Sequence, residues 1–350
     1  MLLPMIRLTY SNRSEKLLDA LAADLSAAGR DPFEPARLVV PNRNVEAWIR
    51  HGLARRLGIA ANLEVQQLRR FVGGLLRDAV PGTRLVDGEL LLDLVLSCLL
   101  DEERMSRPGL ERLRSYLRAG GDRPEAVDLR RYQLASELAR LFDEYCHSRP
   151  EMIGAWPREA ALIGTAQEEI EAWQRRLWLE IFGRGGLAEE RARESGEQWW
   201  HLPQLLDRIG EVELRPGGPV RLVGISYVAS AFHRIFGRLA RDAELDVYAL
   251  NPCMEFWEDV EASHEARARL SKRIRLGRER LGESDDPFGL TTGGDTPALS
   301  LWGKPGRENV RLLNELADCD FHAVFEDFTD ERPSLLRQLQ QDILVRHPER

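Results

Sequence analysis

Residues 38–50, LVVPNRNVEAWIR, decide how the N-terminal part of the chain is read. Leu38, Val39 and Val40 form an apolar run of the kind buried in a parallel sheet. Pro41-Asn42 breaks that run, and Val45, Trp48 and Ile49 then fall at helical spacing. A strand, a tight turn and a helix near the start of an α/β chain is where a nucleotide-binding protein places its phosphate loop. This turn has neither glycine nor lysine. Pro41 donates no amide hydrogen and the bulky Arg43 would crowd a phosphate, so the scaffold of a nucleotide site is present without the site.

Working outward, IRLTY (Ile6 to Tyr10) reads as a strand followed by a helix that Ser11 or Ser14 could cap. RLVV (Arg37 to Val40) is the next strand, and a helix runs from about Arg43 to Leu57, completing a first region over 1–60. Region 61–215 shows helical spacing almost throughout, as in Leu68/Phe71/Val72/Leu75, Leu134/Leu138/Leu141/Phe142 and Ile170/Trp173/Leu177/Ile181. No strand is read there. From 216 to 350 the pattern returns to α/β. PVRLVGIS (Pro219 to Ser226) is a strand entering a turn, Ala229 to Arg241 a helix, and Leu245 to Leu250 and Phe321 to Asp327 are strands. The expected fold class is therefore α/β, a parallel sheet interrupted by a large all-helical insertion and completed after it. LGESDDPFGLTTGGD (Leu281 to Asp295) reads as a mobile loop.

With 350 residues, 43% hydrophobic and 30% charged, the chain can bury the cores of two subdomains. The apolar start, Met1 to Ile6, is too short for a signal-peptide core. LLLDLVLSCLL (Leu90 to Leu100) is too short to span a bilayer, so a cytoplasmic location and no membrane partner are expected. Cys98, Cys146, Cys253 and Cys319 lie far apart, with no CxxC and no histidine pair at ligand spacing, which argues against zinc and disulfides. Cys146 and His147 are neighbours whose side chains diverge on a helix, a poor start for a catalytic dyad. The net charge is -8, and the bases are nearly all arginine.

Enzyme chemistry finds little support. No G-x-x-x-x-G-K-[ST] string occurs; Gly303-Lys304 is followed by Pro305. The acid runs Asp101-Glu102-Glu103 and Asp285-Asp286 have no metal-pair spacing. LVGISYVAS offers one glycine, Gly224, where a dinucleotide site needs three. Neither a cofactor nor a metal is expected. Nucleic-acid binding has more behind it: Arg43, Arg50, His51, Arg55 and Arg56 occupy the helix after Pro41, and Arg69 and Arg70 the next, with Trp48 among them. Arginines interleaved with aromatics suit a single strand. The competing reading, which the apolar spacing favours, puts Trp48 in the core and leaves the arginines as solvated surface. Trp173, Trp178, Trp199 and Trp200 read as packing anchors or as interface residues.

Several strings then look familiar together: YSNRSEKLLDAL (Tyr10 to Leu21), DPFEP (Asp31 to Pro35), GIAANL (Gly58 to Leu63) after the Trp48 helix and LARLFDEYCHSRP (Leu138 to Pro150). GISYVASAF (Gly224 to Phe232), NPCMEFWED (Asn251 to Asp259) and PALSLWGKPGRE (Pro297 to Glu308) continue the series. In this order they resemble RecC, the gamma subunit of exodeoxyribonuclease V. The likeness covers essentially the whole chain, while RecC proteins are about three times longer, so it is a likeness to their N-terminal, helicase-like portion. The resemblance implies a P-loop-helicase-like fold without its ATP site, non-catalytic, lodged between RecB-like and RecD-like subunits. It implies a part in double-strand break repair by recombination, with contact to double- and single-stranded DNA and inspection of the single strand for a Chi sequence. Leu141, Asp143 and Arg149 match the residue types of the family's Chi-reading surface. Gln67, Gly73 and Arg140 depart from it, implying that this protein reads another octamer or none. The expected DNA-binding set is thus Arg43, Arg50, Arg69, Arg70, Leu141, Asp143 and Arg149, with Asp143 equally able to pair with Arg149 structurally. The alternative is a docking module for a RecB-type motor that has no DNA contact of its own.

Overall fold

The computed structural model describes residues 6–27, 33–119, 124–158, 168–255, 303–316, 319–327 and 334–346. The chain divides into two compact units, one of Met1–Leu68, Pro216–Val228 and Ala243–Arg350, the other of Arg69–Arg215 and Ala229–Asp242. Among the described residues the strands are β1 (Ile6–Ser11), β2 (Ala36–Val40), β3 (Leu63–Gln67), β4 (Thr83–Leu85), β5 (Gln198–Trp200), β6 (Val220–Val223), β7 (Leu245–Leu250) and β8 (Cys319–Ala323).

The first unit is built on a six-stranded sheet in the order β3-β2-β6-β7-β1-β8, every pairing parallel. Its inner strands carry apolar runs: Leu8, Leu38 and Val40 are wholly buried. Helices α1 (Ser14–Leu25) and α2 (Arg43–Leu57) bury Leu17, Leu18 and Leu21, and Ile49 and Leu53, in one core with β2. Each such side chain contributes about 1.5–3 kcal/mol by leaving water. The helices approach so closely that any Cβ at Gly52 would run into the Leu18 side chain.

The second unit is mainly helical: α3 (Leu68–Ala79), α4 (Gly88–Leu100), α5 (Glu102–Ser106), α6 (Glu111–Arg118), α7 (Pro124–Ser148), α8 (Pro150–Ala155), α9 (Glu168–Phe182), α10 (Leu187–Ser195), α11 (Leu202–Arg208) and α12 (Ser230–Asp242). Its centre is aromatic. Phe142 meets Trp178 edge-on at 5.3 Å between centroids, and Trp156 meets Trp178 at 5.8 Å. The Trp156 indole N–H donates to Glu171 at 3.0 Å, so its one polar atom is satisfied inside. α12 packs on α7 and α11, its Arg238 donating to the Val212 carbonyl. Beyond β7 the chain forms α13 (Lys304–Asn314) before β8 and α14 (Leu335–Leu344) after it.

Four expectations need correction. The stretch 61–215 is not all-helical. β3 joins the main sheet as an edge strand, its five residues all half-buried, so LEVQQ shows no alternation. β4 and β5 pair in parallel with each other, and three residues are too few to display a period of two. Trp48 is not core: it is 40% exposed, because the buried stripe of α2 runs through Ile49 and Leu53 and its neighbour lies about 100° around the helix. Neither Ser11 nor Ser14 caps α1. Arg13 holds the N-cap position without a side-chain cap, and the Ser11 hydroxyl donates to Val324 O at 2.8 Å while accepting from Arg13 N at 3.0 Å. The last strand is Cys319–Ala323 rather than Phe321 to Asp327, since Val324 and Glu326 turn to bond Ser11 and Asn12. The loop expected over Leu281 to Asp295 lies outside the described residues.

Candidate nucleic-acid interface

From β2 the chain moves to β3 on one side, and from β6 it moves to β7 on the other, so the carboxyl ends of β2 and β6 flank a switch point of the sheet. Parallel sheets receive ligands in such a crevice. Here the turn after β2 serves itself. Asn42, extended at the N-cap of α2, accepts through Oδ1 from the amides of Asn44 and Val45, each at 3.0 Å. Those are the first-turn donors a phosphate would use, and they are already paired. Gly224 follows β6 in the left-handed region at φ +71°, and a Cβ added there would sit 3.2 Å from Val45 Cγ1. The glycine thus gives both the turn and the close seat against α2. Gly224→Ala is expected to cost about 1–2 kcal/mol, read as a lower urea midpoint; an unchanged midpoint would count against this geometry.

The turn after β1 is likewise closed from within. Asn12 Nδ2 donates to Glu326 O at 2.8 Å, and Asn12 Oδ1 accepts from Glu326 N at 2.9 Å. The Glu326 carboxylate lies 3.5 Å from Arg13 and 3.7 Å from Lys16.

The expected DNA-binding residues divide between the units. In the sheet unit, Arg43 is exposed and makes no ion pair among the described residues, while Arg50 on the same helix is held by Glu46 at 3.1 Å. Asn44, Trp48, His51 and Arg55, at spacings of four, three and four, share an exposed face of α2. In the helical unit, Arg69 is exposed and donates to Asp143. Asp143 therefore pairs with Arg69 on α3, not with Arg149 six residues along its own chain as sequence neighbourhood suggested. Arg70 is exposed and free of ion pairs among the described residues; Leu141 is half-buried on α7; Arg149 is exposed at the N-cap of α8. Of the three departures, Arg140 is exposed and engages Glu137 and Glu144, Gln67 ends β3, and Gly73 is buried on α3. Sequence reasoning passed over Tyr227, an aromatic three residues beyond Gly224 that is 60% exposed. The only signal for it was an aromatic just past a strand-ending glycine.

The Cys146–His147 pair is no dyad. The Cys146 thiol is pushed well up by burial, and His147 is held below the ordinary histidine range, also by burial. His147 Nδ1 instead donates to the Asp143 carbonyl at 2.7 Å. Cys98 is pushed up to about 12 by burial. Among the described residues, no cluster of His, Cys, Asp and Glu has the makings of a metal site, and no helix is long and apolar enough to cross a membrane. Trp156 and Trp178 are packing anchors. Trp199 and Trp200 are half-buried, with Arg84 and Arg208 over their rings.

Compared with known families, residues 6–346 match the model described as "RecC, N-terminal domain". The chain belongs to the RecC family. It is similar to "RecBCD enzyme subunit RecC" of Escherichia coli strain K12, 27% identical over 362 residues, which takes in 97% of this chain and 31% of that protein. The protein of the same name from Haemophilus influenzae is 26% identical over 96% of this chain and 33% of its own length. The one from Mycolicibacterium smegmatis is 26% identical over 97% and 28%. The chain thus spans about a third of the length of the RecC proteins it matches.

Proposed function

We propose that this chain is the helicase-like, non-catalytic N-terminal part of a RecC-type subunit. In a RecBCD-type exodeoxyribonuclease V, acting in double-strand break repair by recombination, it forms part of a DNA channel. There it helps split the strands and inspect single-stranded DNA for a Chi-like sequence, beside RecB-like and RecD-like subunits. The observation that carries the reading is the α2 N-terminus: in a six-stranded parallel sheet, first-turn donors that would hold a nucleotide phosphate are capped by Asn42. Beside that cap stands Arg43, and in the helical unit Arg70; both are exposed and unpaired among the described residues, as phosphate contacts need to be. Arg50, Arg69, Leu141, Asp143 and Arg149 complete the proposed contact set.

The test is binding of the 350-residue chain to a single-stranded oligonucleotide across a salt series, with no partner subunit present. Affinity is expected to fall steeply with salt. Each phosphate contact removed by Arg43→Ala or Arg70→Ala should lower the log–log slope by about 0.7. A second reading, docking to a RecB-type motor without DNA contact, is favoured by Leu129 and Tyr132, neighbours one turn apart on α7 and 59% and 51% exposed. Absence of binding at low salt would choose that reading over the first.

A further inference from the structure

We infer that Tyr227 is a stacking platform for one base of a single-stranded nucleic acid whose phosphate is met by Arg43. The inference rests on the channel reading above and adds a residue to it. The β2–β6 register, Arg37 with Val220 through Val39 with Leu222, carried two steps further sets Pro41 beside Gly224. The turns Pro41–Arg43 and Gly224–Tyr227 therefore leave the sheet side by side, on strands about 4.8 Å apart. The seat of Gly224 against Val45 ties the second turn to the first turn of α2.

What this crevice offers a ligand is defined by what is already used. The amides of Asn44 and Val45 are committed to Asn42, so these two first-turn donors are not open to a free phosphate or nucleoside triphosphate. Gly224 N donates to Tyr248 O at 3.1 Å within the sheet, so that amide is also committed. An exposed guanidinium on Arg43 and an exposed aromatic face on Tyr227 remain. A large aromatic 60% open to water contributes little to folding, whereas Val228 immediately after it is buried and anchors the turn. One cation and one flat π-face on adjacent turns suit a nucleotide within a strand: the base stacks, the phosphate pairs, and neither contact requires a particular base.

The experiment compares the 350-residue chain with its Tyr227→Ala, Tyr227→Phe and Arg43→Ala variants. Each is titrated with an oligothymidylate and with an abasic oligonucleotide of equal length and charge, over a salt series. Tyr227→Ala should weaken oligothymidylate binding roughly 5- to 150-fold with an unchanged salt slope, and Tyr227→Phe should restore it. Abasic binding should be the same for Tyr227→Ala and the parent, since no base is there to stack. Arg43→Ala should flatten the slope for both ligands by about 0.7. Oligothymidylate binding that Tyr227→Ala leaves intact overturns the platform and spares the channel reading. A parent chain that binds neither oligonucleotide at low salt overturns both. Equal thermal midpoints for parent and variant verify that the fold is kept.

Discussion

Glu180→Leu is expected to remove about 3–5 kcal/mol from the stability of the helical unit, out of a total that for most domains is about 5–15 kcal/mol. Glu180 sits on α9 with 3% of its surface exposed, and its carboxylate receives Arg107 at 2.5 Å and Arg176, with Arg104 at 3.7 Å. Arg104 is itself buried and also reaches Asp101 at 3.1 Å, Glu190 at 2.5 Å and the Glu180 carbonyl at 3.1 Å. Removing the central carboxylate leaves Arg104 deep in the unit with its nearest buried counter-charge gone, which costs far more than the attraction itself is worth in water. The measurement is urea unfolding followed by fluorescence of the buried tryptophans, most directly Trp156 and Trp178. The double variant Arg104→Met/Glu180→Leu should be less damaged than the sum of its parts, because the buried guanidinium and its one buried carboxylate partner are then removed together. A loss below about 1 kcal/mol for Glu180→Leu would contradict the buried network.

The second large effect is a pH dependence. His201 is buried between Trp178 and Phe182, with ring centroids at 5.1 and 5.0 Å, and burial lowers its pKa from 6.5 to about 3. It also caps α11: its Nδ1 accepts from Gln204 N at 3.4 Å, while the Gln204 side chain accepts from His201 N at 3.1 Å. A cap that accepts a proton can no longer accept this hydrogen bond. Below pH 6.5 the unfolded chain takes up a proton that the folded chain refuses until about pH 3. Stability contributed by the neutral ring is therefore complete above pH 6.5 and is lost as pH falls toward 3. Between pH 6 and pH 4 the loss should come to about 2 kcal/mol. His201→Asn keeps a capping acceptor and does not titrate, so the difference between parent and variant unfolding free energies should grow smaller as pH falls through this window. Parallel pH profiles would sink the assignment, and carboxylates titrating nearby cancel in the comparison.

How much of this was legible in the sequence depends on length and burial. β2, α2 and β7 stood out because a continuous apolar run or a capped, periodic stretch leaves few alternatives. Asn42 was visible as a turn residue, but its occupation of two amides was not, since capping is a matter of backbone angles. Trp48 misled because helical spacing assigns a stripe only to within a residue, and one residue carries a side chain from core to solvent. The pairing of Arg69 with Asp143 joins residues 74 positions apart, and nothing local announces it. Tyr227 was hidden for a related reason: exposure after a strand end is decided by the sheet order, which pairs β6 with β2 across nearly 180 intervening residues.

That sheet order also governs how the protein can be made. Between Gln67, where β3 ends, and Val220, where β6 begins, about 150 residues must be synthesised, which at ribosomal speeds takes roughly ten to thirty seconds. Until then β2 has only β3 for a neighbour, and the edge that will meet β6 stays open. β1 waits longer, for strands beginning at Leu245 and Cys319. The nascent chain therefore carries the apolar strands Ile6–Ser11 and Ala36–Val40 unfinished while the residues up to β6 and β7 are made, and the helices in between build their core from contacts closer in sequence. Those open strand edges are templates for pairing with a neighbouring nascent chain, and translational pauses placed before Val220 would lengthen the interval in which such pairing can occur.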